Sequence, residues 1–161
     1  MEDETMAHMA RIVQPQIILN SPAPFQTMRG QAIENGIPSI TVEMCNPSRI
    51  QKDVVRMSLL GIKNLLRSLK VLPGALNKST QQTVICSESK WIYTNKGGFL
   101  ETIPSVATHV TEGEVIARMR NIFGDVIREY KAPYDGIIIG RSVNPIAQTG
   151  ARIVHLGKVG K

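Results

Sequence analysis

Hydrophobic and polar positions follow two different rhythms along this chain. Up to about residue 76 the apolar residues come in short solid runs and at helical spacing. Glu2 to Val13 reads as a short helix carrying Met6, Met9 and Ala10, and Gln16 to Asn20 as an apolar strand followed by the proline-rich Ser21-Pro22-Ala23-Pro24. Gln26 to Asn35 reads as a helix stopped by Asn35-Gly36. Ile37 to Val42 reads as a second strand. Asn46-Pro47 then looks like the opening of a long helix running to about Val71, with Asn46 as N-cap. Its apolar residues, Ile50, Val54, Met57, Leu60, Ile62, Leu65, Leu66 and Leu69, fall mostly on one face. Strand, helix, strand predicts a parallel pair joined by a right-handed crossover, and both strands are apolar throughout, as buried parallel strands are.

Beyond residue 80 the helical period disappears and short β-rich runs alternate with Gly, Pro and Asn turns. Strands are expected at Thr83–Cys86, Trp91–Thr94, Gly98–Thr102, Val115–Met119, Val126–Tyr130, Gly136–Gly140 and Arg152–Leu156. A faint repeat runs through this part. Gly98-Phe99-Leu100 matches Gly136-Ile137-Ile138, and Val110-Thr111-Glu112-Gly113 matches Ala147-Gln148-Thr149-Gly150. Such duplication predicts a quasi-twofold β-sandwich whose halves each contribute a hairpin. The expected organisation is thus an α/β domain over 1–76 and an all-β domain over 77–161, joined by the polar linker from Pro73 to Gln82. Two parallel strands do not make a stable sheet alone. The missing neighbours have to come from more chain or from another copy, so homo-oligomerisation stays open.

Composition narrows the function. The chain has 161 residues and is 42% hydrophobic but only 4% aromatic, so its core is aliphatic. No apolar run reaches the roughly 18 residues of a membrane span. Met1-Glu2-Asp3-Glu4 has no apolar stretch behind it, unlike a secretory signal. Cys45 and Cys86 stand far apart in apolar settings, which reads as two buried free thiols in a cytoplasmic protein. The net charge is +6. Arg49, Lys52, Arg56, Lys63, Arg67 and Lys70 form one stripe at helical spacing, which reads as a solvated face. The aromatics and Gly-rich loops that nucleic-acid readers place beside such a stripe are missing, so no nucleic-acid partner is expected.

Candidate chemistry is sparse. Glu43 directly follows Ile40-Thr41-Val42. A carboxylate at the C-terminal end of a strand in an α/β sheet sits where ligands bind, and it can serve as general base and then general acid. It can equally cap the following helix or pair with Arg29 or Arg49. Arg29 could clamp a substrate carboxylate bidentately; an exposed helix arginine is the simpler reading. His8, His109 and His155 are scattered without metal-ligand spacing, and no nucleophile elbow, P-loop or Gly-x-Gly-x-x-Gly occurs.

Gly36-Ile37-Pro38-Ser39-Ile40-Thr41-Val42-Glu43, with the later Gly61-Ile62-Lys63-Asn64-Leu65-Leu66, resembles the back of the catalytic domain in the succinylglutamate desuccinylase/aspartoacylase family. Gly97-Gly98-Phe99-Leu100, Gly113-Glu114-Val115-Ile116-Ala117, Phe123-Gly124-Asp125 and Ala132-Pro133-Tyr134-Asp135-Gly136-Ile137-Ile138 resemble that family's C-terminal β-domain, a pattern shared with biotinyl/lipoyl-type barrels. The resemblance implies a partial carboxypeptidase-like α/β fold, with parallel strands and crossover helices, followed by an all-β barrel-sandwich. It also implies a zinc-dependent deacylase acting on a small acylated substrate, with Glu43 as the general acid/base. The family's zinc ligands, a His-x-x-Glu motif and a later His, lie upstream of the matching region. His8 lacks the flanking Asp-Leu, so no zinc ligand is expected in this chain. The resemblance therefore implies a C-terminal fragment, inactive alone.

Two departures stand out. Met44-Cys45-Asn46 follows the glutamate where relatives have glycine, and the turn Asn121-Ile122-Phe123-Gly124-Asp125 has no lysine, which excludes carriage of a covalent cofactor. The competing reading is a non-catalytic binding or assembly module built on the lipoyl-like β-domain, with Glu43 structural. A weaker third is nucleic-acid binding through the basic helix.

Overall fold

The computed structural model describes residues 3–78 and 82–160. The expected helix start at Glu2 and part of the expected linker, residues 79–81, lie outside the described residues. The chain divides into two units, residues 1–84 and 85–161.

The first unit holds three helices and one short strand. Helix α1, Glu4–Val13, is capped by Asp3, whose Oδ1 accepts from the N–H groups of Thr5 at 2.7 Å and Met6 at 3.2 Å. It ends where Gln14 turns left-handed, at φ 56°. Strand β1 is Ile17–Leu19, with Ile18 buried. Helix α2, Met28–Glu34, starts at Thr27, whose Oγ1 accepts from Gly30 N–H at 3.0 Å and donates to Pro24 O at 2.7 Å. It stops at Asn35-Gly36, where the Gly36 N–H bonds back to Ile33 O and the Ile37 N–H to Ala32 O. Helix α3, Lys52–Ser68, packs on α1.

Two expectations fail here. Residues 37–42 form no strand, so they make no parallel pair with β1. A strand exists only through its neighbours' hydrogen bonds, and this apolar segment has none to pair with: Ile37 is 58% exposed and Val42 36%. Helix α3 also begins five residues later than Asn46 as N-cap predicts. Cys45 and Ser48 are left-handed, at φ 67° and 60°, and the Asn46 N–H donates to Gln51 Oε1 at 2.7 Å. Asn46 therefore sits in a turn ahead of the helix, and Gln51 holds the N-cap position without a side-chain cap bond.

The second unit is all antiparallel. Its strands are β2, Val84–Tyr93; β3, Gly98–Thr102; β4, His109–Val110; β5, Val115–Arg120; β6, Val126–Lys131; β7, Gly136–Arg141; β8, Ile146–Ala147; and β9, Arg152–Val159. One sheet runs β2-β9-β7-β4 and the other β6-β5-β3-β8. Their inward side chains share one core, built from Leu100, Ile116, Met119 and Tyr130 on one side and Val110, Ile138, Val154 and Leu156 on the other. The two strands expected at 83–86 and 91–94 are a single strand, irregular between Cys86 and Glu88.

The repeat is real in the pairing. β3 pairs with β5 as β7 pairs with β9. Gly98 of β3 pairs with Ala147 of β8, and Gly136 of β7 pairs with Val110 of β4. Each half thus lends its short strand to the other half's sheet, instead of closing a simple hairpin on itself. The turns that follow reach positive φ at equivalent glycines, Gly113 at 81° and Gly150 at 83°.

Candidate functional site

Glu43 lies near the end of the unpaired run 37–44, just ahead of the turn that Gln51 closes. Its side chain is exposed, and it makes no hydrogen bond or ion pair among the described residues. Neither Arg29 nor Arg49 pairs with it. The sequence predicts this carboxylate at the C-terminal end of a buried strand. In this chain the strand is not made and the carboxylate stays in water. Met44 beside it is 48% exposed, and Cys45, expected buried, is half-buried.

Arg29 is committed to its own loop. Its guanidinium donates to Ser21 O at 3.4 Å, Ser21 Oγ at 3.3 Å and Pro22 O at 3.0 Å. Thr27 Oγ1 to Pro24 O and Gln31 Nε2 to Phe25 O at 2.7 Å fold the same proline-rich loop onto α2. A shallow hollow of about 80 Å³ lies close by, lined by Asp3, Met6, Ile33, Gly36, Ile37 and Pro38. Ligand pockets start at about 300 Å³, and neither Glu43 nor Arg29 lines this one.

The histidines are not brought together. His8 Nε2 lies 3.3 Å from Ser68 Oγ. His109 is exposed on β4. His155 on β9 stacks on Trp91 with ring centroids 4.5 Å apart, and its Nε2 lies 2.8 Å from Ser89 Oγ. The Arg152 guanidinium sits 4.7 Å from the Trp91 ring centroid. Among the described residues no group of three or more His, Cys, Asp or Glu is placed to hold a metal ion. None of the described helices is long and apolar enough to cross a membrane.

Helical spacing predicts the apolar residues of α3 mostly on one face. The structure packs a different side inward. Gly61 and Asn64 are the buried residues of α3, with Ser58, Leu65 and Ser68 half-buried. Val55, Leu59, Ile62 and Leu69 remain 49%, 50%, 40% and 56% exposed. The signal was present in the sequence as the spacing 55, 59, 62, 66, 69, a second apolar stripe that a single-face reading merges with the first.

No protein-family model and no curated protein matches the sequence. Solved structures do match. The product-bound ectoine utilization protein EutE (DoeB) from Ruegeria pomeroyi superposes with a TM-score of 0.85 at 17% identity, covering 98% of this chain and 51% of that one. A succinylglutamate desuccinylase/aspartoacylase from Rhodobacter sphaeroides gives 0.81 at 16% identity, covering 100% and 52%. An aspartoacylase family protein from Mesorhizobium loti gives 0.74 at 15%, covering 98% and 55%. At these identities the likeness is one of fold: this chain has the fold of the C-terminal part of such proteins. It spans about half the length of the structures it matches.

Proposed function

We propose that this chain provides the C-terminal half of a zinc-dependent hydrolase that cleaves an amide or ester bond of a small acylated substrate. The observation that carries the reading is the TM-score of 0.85 over 98% of the chain, against half of an enzyme-sized protein. The apolar run 37–42 adds to it, because it has the composition of a strand and no strand partner among the described residues. Once that run is incorporated between neighbours, Glu43 stands at the C-terminal end of a strand, where α/β sheets bind ligands. There its carboxylate takes a proton from water and returns one to the leaving group. Arg29 holds a substrate carboxylate with the donors it does not spend on Ser21 and Pro22.

The reading implies zinc, which when bound supplies Lewis acidity to such a site. The described residues of this chain do not fit it, since they offer no ligand cluster. Its ligands would belong to other residues, and the isolated chain would be inactive. The β unit is read as a barrel-sandwich of the biotinyl/lipoyl kind, supported by the strand exchange between its two halves. The two free cysteines support a cytoplasmic setting. A second reading, a non-catalytic assembly module, is favoured by the exposure of Glu43 away from the 80 Å³ hollow.

The test is amine release from N-acetyl and N-succinyl amino acids in zinc-containing buffer. The chain is assayed alone and co-expressed with the N-terminal half of the Ruegeria pomeroyi protein. The expected result is no turnover alone, turnover by the pair, and a fall of about 10²–10⁴ with Glu43→Gln. Turnover unchanged by Glu43→Gln overturns the role of Glu43. An assembled pair without turnover leaves the module reading standing.

A further inference from the structure

The most exposed large apolar side chains among the described residues of the second unit sit side by side at the tip of the β5–β6 hairpin. Ile122 is 80% exposed and Phe123 83%. The tip is nonetheless held. The Asn121 N–H donates to Asp125 O at 3.0 Å. Asn121 Oδ1 accepts from the N–H groups of Phe123 at 2.9 Å and Asp125 at 3.0 Å, and its Nδ2 donates to Asp125 Oδ2 at 3.0 Å. Arg120 Nη1 donates to Gly124 O at 2.9 Å, while its Nη2 donates to Glu101 Oε2 on β3 at 3.1 Å. One guanidinium thus ties the tip to the sheet. None of these bonds uses the side chain of Ile122 or Phe123, so the turn does not explain why they are apolar.

The apolar surface continues from the tip across the sheet. Leu100, Met119 and Ala147 belong to the core, so their sequence neighbours Phe99, Arg120 and Ile146 face outward. Cross-strand pairing sets these in one row, with Ile146 opposite Phe99, Phe99 opposite Arg120 and Arg120 opposite Val126. Phe99 and Val126 are exposed, and Ile146 is 67% exposed. The charges on this face are matched, Arg118 with Glu129 at 3.1 Å and Arg120 with Glu101 at 3.1 Å.

We propose that this tip and row form a two-fold interface with a second copy of the chain, each tip seated on the Phe99–Ile146 row of the other copy. The interface belongs to the β unit and stands whether or not the chain is half of a hydrolase. Two observations select this occupant. The first is size. The exposed parts of the five apolar side chains come to about 500–600 Å² per chain, the upper end of what monomers leave bare. Two facing copies therefore bury on the order of 1,000 Å², where specific interfaces begin. The second is charge. Two arginines balance two glutamates on the face, and Asp125 sits in the tip, so an anionic bilayer or a nucleic acid meets no net positive charge here. A two-fold copy instead opposes matched pairs to matched pairs. The copies dock through the face and not through the edge of the sheet. Strand β6 is that edge, but Ile127 is an extra residue between the Arg120–Val126 and Met119–Arg128 pairs, and this bulge, with Arg128 and Lys131, blunts it against a partner strand.

The experiment takes the whole chain. Sedimentation equilibrium over a wide concentration range reads its mass. A photo-reactive benzoyl group on the Phe123 ring, in mixtures of isotope-labelled and unlabelled chains, reads what the tip touches. The expected result is a dimer, with cross-links from position 123 of one copy to residues 97–101 or 144–148 of the other. Ile122→Ser with Phe123→Ser weakens the dimer about tenfold or more, and Ile146→Glu does the same. Leu59→Glu with Ile62→Glu, at exposed positions of α3, leaves it unchanged. Circular dichroism melts check that each variant folds. A chain that stays monomeric, a dimer that tolerates the tip variants, a dimer abolished by the α3 variants, or cross-links that stay within one copy overturns the proposal. So does a monomeric chain that binds phosphatidylcholine–phosphatidylserine vesicles and loses that binding in the tip variants.

Discussion

Gly61 of α3 lies directly against the backbone of Val13 at the end of α1: a methyl group on Gly61 would overlap the Val13 carbonyl oxygen. The glycine is what lets the two helices approach. In an open helix, Gly→Ala stabilises by about 1 kcal/mol. Here the obstacle is backbone, which does not swing aside, and overpacking of that kind costs about 1–3 kcal/mol. Gly61→Ala is therefore expected to destabilise the first unit. Urea unfolding followed by far-ultraviolet dichroism checks the sign, since helix propensity alone predicts a gain.

Asn64 sits one turn further on and is 2% exposed. Its Nδ2 donates to Asn77 O at 2.8 Å and its Oδ1 accepts from Asn77 N–H at 2.8 Å. One amide thus satisfies both backbone groups of a residue in the stretch after α3. Asn64→Leu removes both bonds; Asn77 O keeps Gln14 Nε2 at 3.0 Å, but the Asn77 N–H loses its partner, at a cost of about 1–3 kcal/mol. The segment 70–78 is expected to become protease-sensitive well before the helices unfold. Limited proteolysis with mass mapping reads this, and cleavage confined to other segments counts against the clamp.

The β unit was legible because its strands make their own neighbours. Runs such as Val115–Arg120 and Gly136–Arg141 are apolar stretches bounded by turn residues, and their Ile116, Met119 and Ile138 are buried in one shared core. Strands β4 and β8 were missed because at two residues each they carry no period. β2 was split in two because Ser87 to Lys90 is exposed on both faces and looks like a turn. The first unit was misread for the opposite reason. Ile37 to Val42 has strand composition, but composition supplies no partner, and none pairs with it among the described residues. Asn46-Pro47 has the residues of a helix start, yet left-handed Ser48 breaks the path and moves the start to Lys52. The same gap bears on Glu43, which directly follows the run 37–42 and stays exposed in the structure.

The two thiols differ. Cys86 is fully buried and Cys45 half-buried. Burial pushes the Cys86 thiol above its ordinary 9.0. Burial also raises the Tyr134 phenol above 10.0, with the charges of Glu88 and then Cys86 adding to the shift. A raised folded value means a stabilising contribution that is complete below the ordinary value and lost as pH rises through the folded one. Stability is expected to fall above about pH 9, and Cys86→Ala should flatten that fall. At pH 8 a disulfide reagent should titrate one thiol per chain quickly and the second only in denaturant. Two fast thiols would contradict the burial of Cys86.

Thr94 closes the end of β2 onto the turn that ends in Gly150. It is 4% exposed. Its Oγ1 donates to Gln148 O at 2.6 Å and accepts from Ala151 N–H at 3.0 Å. Its backbone N–H reaches Ala151 O, and its carbonyl accepts from Gly150 N–H. The side chain therefore locks a turn that the backbone already holds, and this turn is one of the two that the repeat places at equivalent positions. Thr94→Val keeps the shape and removes the hydroxyl. Because Ala151 N–H also bonds Gln148 O at 3.1 Å, one donor keeps a partner, and the loss should be about 1 kcal/mol. Exchange at Gly150 and Ala151 should speed up while amides in β5 stay protected. Uniform acceleration through the whole unit would mean that Thr94 supports the core rather than the turn.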